Sequence, residues 1–255
     1  MKRCAQRINI TTRLSNAFVL LRGRISFGTD HRTFFTTLEQ LRDTEVNQTN
    51  PEMIVKAAQQ LHDMMASLSG DDMNLPQEVD INQCCDYGLH LFDEQSDLAS
   101  RCGLDSVAQE IEDLCFPFSL WAARNNAEIH HLRPVANAIA RKANSLSDPG
   151  ILSSLFTQIN EIMEAIDENQ RQIESQDPAL PWRILLLNRA IIATRSFQPV
   201  LIETAYMDIV TFLPQDASGF FSSAMEQMDL TGYPKNIREI VENWFQRYST
   251  RPTLH

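Results

Sequence analysis

Apolar residues recur every three or four positions along most of the chain, which is the spacing of an amphipathic α-helix. Strand-like alternation of apolar and polar residues is scarce, and only eight glycines are present. The clearest helix is predicted to begin at Pro51, after the N-cap residue Asn50, and to end at Gly70. Further predicted helices lie around residues 80–103, 105–122, 132–146, 149–166, 182–194, 200–213, 220–228 and 237–248. The pattern therefore predicts an all-α fold.

The stretch Leu114–Ala143 is predicted to form a kinked helix hairpin. Pro117 falls inside an apolar helix, where it removes a backbone donor and crowds the preceding turn, so we expect a kink or break near Cys115–Phe116. Asn125–Asn126 supplies the turn, because Asn tolerates left-handed backbone angles. The second helix is rich in alanine, which permits close packing. A binding surface is expected beside this hairpin and beside the helix Trp182–Arg195.

Eleven prolines divide the chain into segments of helix length joined by short loops, and short loops make neighbouring helices antiparallel. The predicted architecture is a set of antiparallel helix hairpins that form an irregular bundle or a short α-solenoid of the tetratricopeptide type. Trp182–Thr194 is apolar on most of its circumference and is expected to be central, and Val200–Leu213 to continue its buried face.

Three regions are expected along the chain. They are a basic, poorly structured arm at residues 1–33, a helical-hairpin region at 34–176, and a C-terminal helical region at 177–255 packed on it. The boundary between the last two regions lies in the stretch Gln176–Pro181. One continuous domain over residues 51–250 is the alternative.

Charge is distributed unevenly. Seven basic residues and one acid give residues 1–32 a charge of +6, so the remainder of a chain whose net charge is −11 carries −17. Such an acidic body repels phosphate backbones, which argues against a nucleic-acid partner. Residues 1–29 contain five arginines and no acid, a composition that fits a mitochondrial transit peptide, a disordered arm, or sequence upstream of the true start. Apart from that mitochondrial alternative, we expect a cytoplasmic protein.

The five cysteines are odd in number and form no C-x-x-C pair, which argues against a disulfide framework and a zinc site and fits a reducing compartment. Cys84 and Cys85 are either a redox pair or one core cysteine beside an incidental one. No apolar run has the length needed to cross a bilayer.

His62-Asp63 resembles the metal-binding dipeptide of HD-type metal-dependent phosphohydrolases, which are all-helical. His31 lies upstream and Asp113 downstream, in an order that could bring imidazole and carboxylate groups to one metal. The glycine and basic residue that commonly follow the dipeptide are replaced by Met64-Met65. An enzyme that uses His31, His62 and Asp63 is therefore kept as the alternative function.

Glu128-x-x-His131 matches half of a carboxylate-bridged di-iron site, but the motif has no second copy. We prefer to interpret these residues, with His130, as a polar cluster that caps the start of a helix and lies at a hinge. His90 with Asp93 and Glu94 is expected to be a solvated ion pair. No nucleophile-elbow, dinucleotide-binding or Walker-type motif is present, so we expect no cofactor.

Arg183, Arg189 and Arg195 recur every six residues in an otherwise apolar helix. The preferred interpretation is that each packs its aliphatic stem and places its charge at the rim of the helix. The alternative is a basic strip that pairs with Asp or Glu of a partner, or with the internal acids Glu203 and Asp208. With no catalytic pattern, the sequence favours a non-enzymatic helical scaffold or adaptor that binds a protein or peptide partner.

Overall fold

The structure, a computed structural model, describes residues 80–101, 105–167, 171 and 181–249. These residues form α-helices joined by turns and contain no β-strand, which confirms the predicted all-α class. The predicted arm at residues 1–33 and the predicted helix that begins at Pro51 lie outside the described residues.

The helices in the described residues are numbered here in chain order. They are α1 (Ile81–Arg101), α2 (Asp105–Asp113), α3 (Cys115–Arg124), α4 (Leu132–Ser145), α5 (Pro149–Glu164), α6 (Pro181–Arg195), α7 (Pro199–Phe212), α8 (Ala217–Leu230) and α9 (Lys235–Ser249). None of the helices described is long and apolar enough to cross a membrane.

Aspartate or proline stands at the start of several helices. The Asp80 carboxylate accepts a bond of 2.9 Å from the backbone N–H of Asn82 at the start of α1. Asp148 is the N-cap of α5, and its carboxylate accepts from the backbone N–H of Ile151 at 2.9 Å. The helices α5, α6 and α7 each begin with proline, whose missing N–H costs nothing at a first position.

A break separates α2 from α3 at Leu114. Pro117 has no N–H to offer the carbonyl of Asp113, four residues earlier, and α2 ends at Asp113. The chain resumes as a helix at once, because the N–H of Phe118 donates to the carbonyl of Leu114 at 3.1 Å. The predicted break is therefore present, one residue before Cys115.

The hairpin turn after α3 forms at the predicted residues. Asn125 ends the helix, and Asn126 has a φ of 60°, in the left-handed region. Asparagine tolerates this conformation better than most residues do.

Two compact units divide the described chain, one that ends at Ala138 and one that begins at Ile139 within α4. In the first unit, α1 packs against α2 and α3. The Ser96 hydroxyl is within 3.1 Å of the carbonyl of Ala108, and Phe92 meets Phe118 edge to face with centroids 5.4 Å apart. The predicted boundary near residue 177 lies outside the described residues and stays a prediction.

In the second unit, α6 packs between α5 and α7, while α9 packs against α7 and α8. Most of α6 is buried, which confirms the prediction of a central helix. Tyr206 of α7 is fully buried, and its hydroxyl lies 2.8 Å from that of Thr194. Its ring belongs to an aromatic cluster whose other members are Phe220, Phe221, Trp244 and Tyr248.

Candidate interaction surface

Two histidines and an arginine from the loop before α4 and its first turn face acids of α1. Nε2 of His131 is 2.9 Å from Oδ2 of Asp93, and Nη2 of Arg133 donates to the same oxygen at 2.6 Å. Nδ1 of His130 lies 3.4 Å from Oδ2 of Asp86. We call these five residues the polar seam. It ties the hairpin loop to α1.

The polar seam accounts for the Glu128-x-x-His131 motif without a metal. The backbone N–H of Glu128 donates to the side chain of Asn82 at 2.7 Å, and its carboxylate lies 3.6 Å from His130. His131 is bonded to Asp93 and stacks on His90 with ring centroids 4.0 Å apart. Among the residues the structure describes, no group of three or more His, Cys, Asp or Glu side chains could hold a metal ion.

The hydrolase alternative depends on residues outside the described chain. His31, His62 and Asp63 all precede residue 80, where description begins. Asp113 is the exposed last residue of α2. An HD-type metal site therefore stays a prediction.

Each arginine of the six-residue series in α6 is bonded within its own fold. Arg183 donates two hydrogen bonds to Asp216, at 2.8 and 2.7 Å. Arg195 donates to the carbonyls of Ala143, at 2.7 Å, and Leu146. Both side chains are thus bonded inside the fold, but to Asp216 and to backbone carbonyls rather than to the predicted partners Glu203 and Asp208.

Arg189 is the buried member of the series, with 5% of its surface exposed. It donates to Asn160 and to Asp208, each at 2.6 Å, and its guanidinium lies 4.5 Å from the centroid of the Phe156 ring. Burial lowers the pKa of Arg189, while Asp208 acts in the opposite direction. The Asp208 pairing is one that the sequence predicts.

The Arg183–Asp216 pair links stability to pH. The hydrogen bond from Arg183 lowers the pKa of Asp216 from its ordinary value of 3.8. A carboxyl whose folded pKa is lowered stabilises the fold above its unfolded pKa, and that contribution is lost as the pH falls through the folded value. The pair therefore contributes at neutral pH and fails only in acid.

Both adjacent cysteines belong to the core, so the expectation of one incidental cysteine is wrong. Cys84 and Cys85 are each 0% exposed. Desolvation raises the pKa of both thiols to about 12, so almost no thiolate is present at neutral pH. A redox pair needs accessible thiolate, which this environment does not supply.

The outer side of α7 carries a stripe of uncharged side chains. Val200, Thr204, Met207 and Thr211 are all exposed and follow one another at four-, three- and four-residue steps, which places them on one face of the helix. Val200 is 75% exposed and Met207 is 54% exposed. We call these four residues the α7 stripe.

The threonines of the α7 stripe have their hydroxyl donors engaged. Thr204 donates to the carbonyl of Val200 at 2.9 Å, and Thr211 to that of Met207 at 2.8 Å. Each hydroxyl thus bonds within its own helix. The stripe is about 16 Å long at a rise of about 1.5 Å per residue. It offers a partner mostly methyl and thioether surface.

Acids border the α7 stripe, and α7 contains no lysine or arginine. Glu203 is exposed and accepts a hydrogen bond of 2.8 Å from the indole N–H of Trp244. Asp208 is 31% exposed and pairs with Arg189. The exposed acid beside the stripe is therefore Glu203, because Arg189 balances the charge of Asp208.

Sequence reasoning places Val200 on a buried face, and the structure shows that this is wrong. The buried face consists of Ile202, Ala205, Tyr206 and Ile209. The same helical spacing, applied to Val200, Thr204, Met207 and Thr211, gives the exposed stripe. Helical spacing alone fits both sets of residues, because α7 carries apolar residues on both faces, so the sequence does not show which face is buried.

Comparison of the chain with protein-family models, with curated proteins and with solved structures finds no match in any of the three.

Proposed function

We propose that this chain is a non-enzymatic helical scaffold whose α7 stripe receives an amphipathic helix of another protein. The observation that carries the proposal is the exposed, uncharged α7 stripe, with Val200 75% and Met207 54% exposed. Binding of an amphipathic helix uses apolar anchors at these spacings. The surface lies on the helix that packs against α6, beside which a binding surface was expected.

The arrangement of the second unit suits this role. The packing of α5 on α6, of α6 on α7, and of α9 on both α7 and α8 is compatible with an irregular bundle or a short α-solenoid. In such an array each helix is held by its neighbours and its outer face is left for a partner.

Charge defines the partner more closely. Glu203 borders the stripe as an exposed acid, Asp208 on the same helix is paired with Arg189 of this chain, and the chain has a net charge of −11. A partner helix with lysine or arginine beside its apolar positions complements this rim. A second copy of the same stripe would set like charges against each other. The proposed partner is therefore a basic amphipathic helix.

Peptide binding followed by fluorescence anisotropy tests the proposal. The probe is a labelled helical peptide with leucines on one face and flanking lysines. The control peptide replaces the lysines with glutamate. We expect the basic peptide to bind at least about tenfold more tightly than the acidic one, because charge complementarity adds to the same apolar burial.

Two matched variants locate the site. Met207→Gln should weaken binding about tenfold, since burial of a methionine side chain contributes about 1.5 kcal/mol or more. Ile151→Gln alters an aliphatic residue of α5 that is equally exposed, at 52%, and should leave binding unchanged. Equal losses in the two variants, or equal binding of the two peptides, would reject the α7 stripe as the site. Dimerisation abolished by Met207→Gln would assign the stripe to a second copy instead.

The reducing conditions of the cytoplasm fit a chain with five cysteines, an odd number, of which the three that the structure describes are buried. We therefore propose a cytoplasmic location. The mitochondrial alternative depends on residues 1–29.

A further inference from the structure

The four methionines within the described residues differ widely in their exposure to solvent. Met163 and Met228 are buried, with 8% and 2% of their surface exposed, and Met225 is half-buried. Met207 is 54% exposed. A small oxidant dissolved in water therefore reaches the thioether of Met207 more readily than that of Met163 or Met228, because access governs how fast such a group is oxidised.

The thiols in the described part of the chain are shielded from such an oxidant. Cys84, Cys85 and Cys115 are each 0% exposed, and desolvation raises the pKa of Cys84 and Cys85 to about 12. Hydroperoxides attack the thiolate, which these two residues do not supply at neutral pH. Of the sulfur groups that the structure describes, the thioether of Met207 is therefore the most open to oxidation.

Met207 lies inside the α7 stripe, between Thr204 and Thr211. The hydroxyls of both threonines donate to carbonyls of their own helix, and α7 contains no lysine or arginine. A sulfoxide oxygen at position 207 is a strong acceptor, and the stripe offers it no free side-chain donor. Covering that oxygen with the apolar face of a partner would bury an acceptor without a hydrogen bond, which is costly.

We propose that Met207 is a site of reversible oxidation that switches the α7 stripe between a binding and a non-binding form, an inference that rests on the proposed function. Hydrogen peroxide transfers one oxygen atom to the thioether sulfur, so an S–O bond forms as the O–O bond breaks. The sulfur is oxidised by two electrons to the sulfoxide, and the peroxide is reduced to water. A sulfoxide reductase reverses the step by oxidising two thiols to a disulfide, and the oxygen leaves as water.

Peptide binding before and after mild treatment of the full chain with hydrogen peroxide tests this inference. The probe is again the labelled helical peptide with leucines on one face and flanking lysines, added once the peroxide has been removed. Mass spectrometry of a digest identifies the oxidised methionines. Met207 should be converted before Met163 and Met228, and its conversion should weaken binding about tenfold, as Met207→Gln does, because both place a polar group on the stripe. Reductases for both sulfoxide epimers should restore the affinity.

Met207→Leu is the matched control, because leucine keeps an apolar side chain of similar volume without the sulfur. This variant should bind the peptide before treatment and keep its affinity afterwards, although the other methionines of the chain are still present. Met225→Leu, which removes the half-buried thioether of α8, should lose affinity on treatment as the unaltered chain does.

Three results would overturn the inference and leave the proposed function in place. They are equal loss of affinity in Met207→Leu, unchanged binding by a chain whose Met207 is fully converted, and conversion of Met163 or Met228 ahead of Met207. Absence of peptide binding by the untreated chain would instead reject the proposed function, and this inference with it.

Discussion

The buried Arg189 shows how single polar residues position the candidate surface. Its hydrogen bonds reach Asn160 on α5 and Asp208 on α7, so one side chain of α6 connects both neighbouring helices. Asp208 also borders the α7 stripe. Loss of the Arg189 side chain should therefore lower the stability of the fold more than loss of Arg183 or Arg195.

We predict that Arg189→Ala lowers the free energy of unfolding by about 3 kcal/mol, because it leaves polar partners unpaired and removes packing on Phe156. The matched variant Arg183→Ala should cost about 1 kcal/mol or less, since that pair is partly exposed, at 25% and 29%. Urea unfolding followed by circular dichroism measures both. A larger loss of unfolding free energy in Arg183→Ala than in Arg189→Ala would contradict the view that Arg189 is the arginine of α6 that contributes most to stability.

At the residue scale, the sequence allowed prediction of Asp208 as an internal partner for the arginines of α6, but not of Asp216. Asp208 lies nineteen residues from Arg189, and Asp216 thirty-three from Arg183. No local spacing rule connects positions so far apart. A buried arginine needs a charged or polar partner because an unpaired buried charge is costly. Which partner it finds depends on the fold.

Helix boundaries follow local chemistry in this chain. Asp148 caps α5 and Pro149 opens it, while Pro117 accounts for the break between α2 and α3. These features could be predicted because each depends on residues within about one turn of the helix. The outward orientation of Val200 could not, because α7 is apolar on both faces and the buried side is chosen by packing against α6 and α9.

The cap of α5 gives a test at this scale. Asp148→Ala should lower the free energy of unfolding by about 1 kcal/mol, because the backbone N–H of Ile151 loses its acceptor. Asp148→Asn keeps a side-chain oxygen at the cap and should cost less than about 0.5 kcal/mol. Thermal unfolding of both variants distinguishes them. Equal losses would show that charge, not the hydrogen bond, stabilises this helix start.

At the scale of the whole molecule, candidate surfaces are what remains once internal bonds have been assigned. The polar seam occupies the histidines of the hairpin loop, burial protects Cys84 and Cys85, and the α6 arginines are bonded within the fold. Among the described residues, the α7 stripe is an exposed surface to which these bonds assign no internal role. The contact between Phe197 and Tyr233 could not be predicted from the sequence, since it joins two turns that are far apart along the chain.

The central claim is that a basic amphipathic helix binds the α7 stripe, and methyl NMR of the full chain labelled at methionine tests it most directly. Met207 is exposed on the stripe, whereas Met225 lies on α8 and Met163 is buried in α5. Comparison with Met207→Leu assigns the signal. On addition of the basic peptide, we predict that the Met207 methyl resonance shifts in a saturable manner while those of Met225 and Met163 stay in place. Saturable binding that leaves the Met207 resonance unmoved would contradict the account.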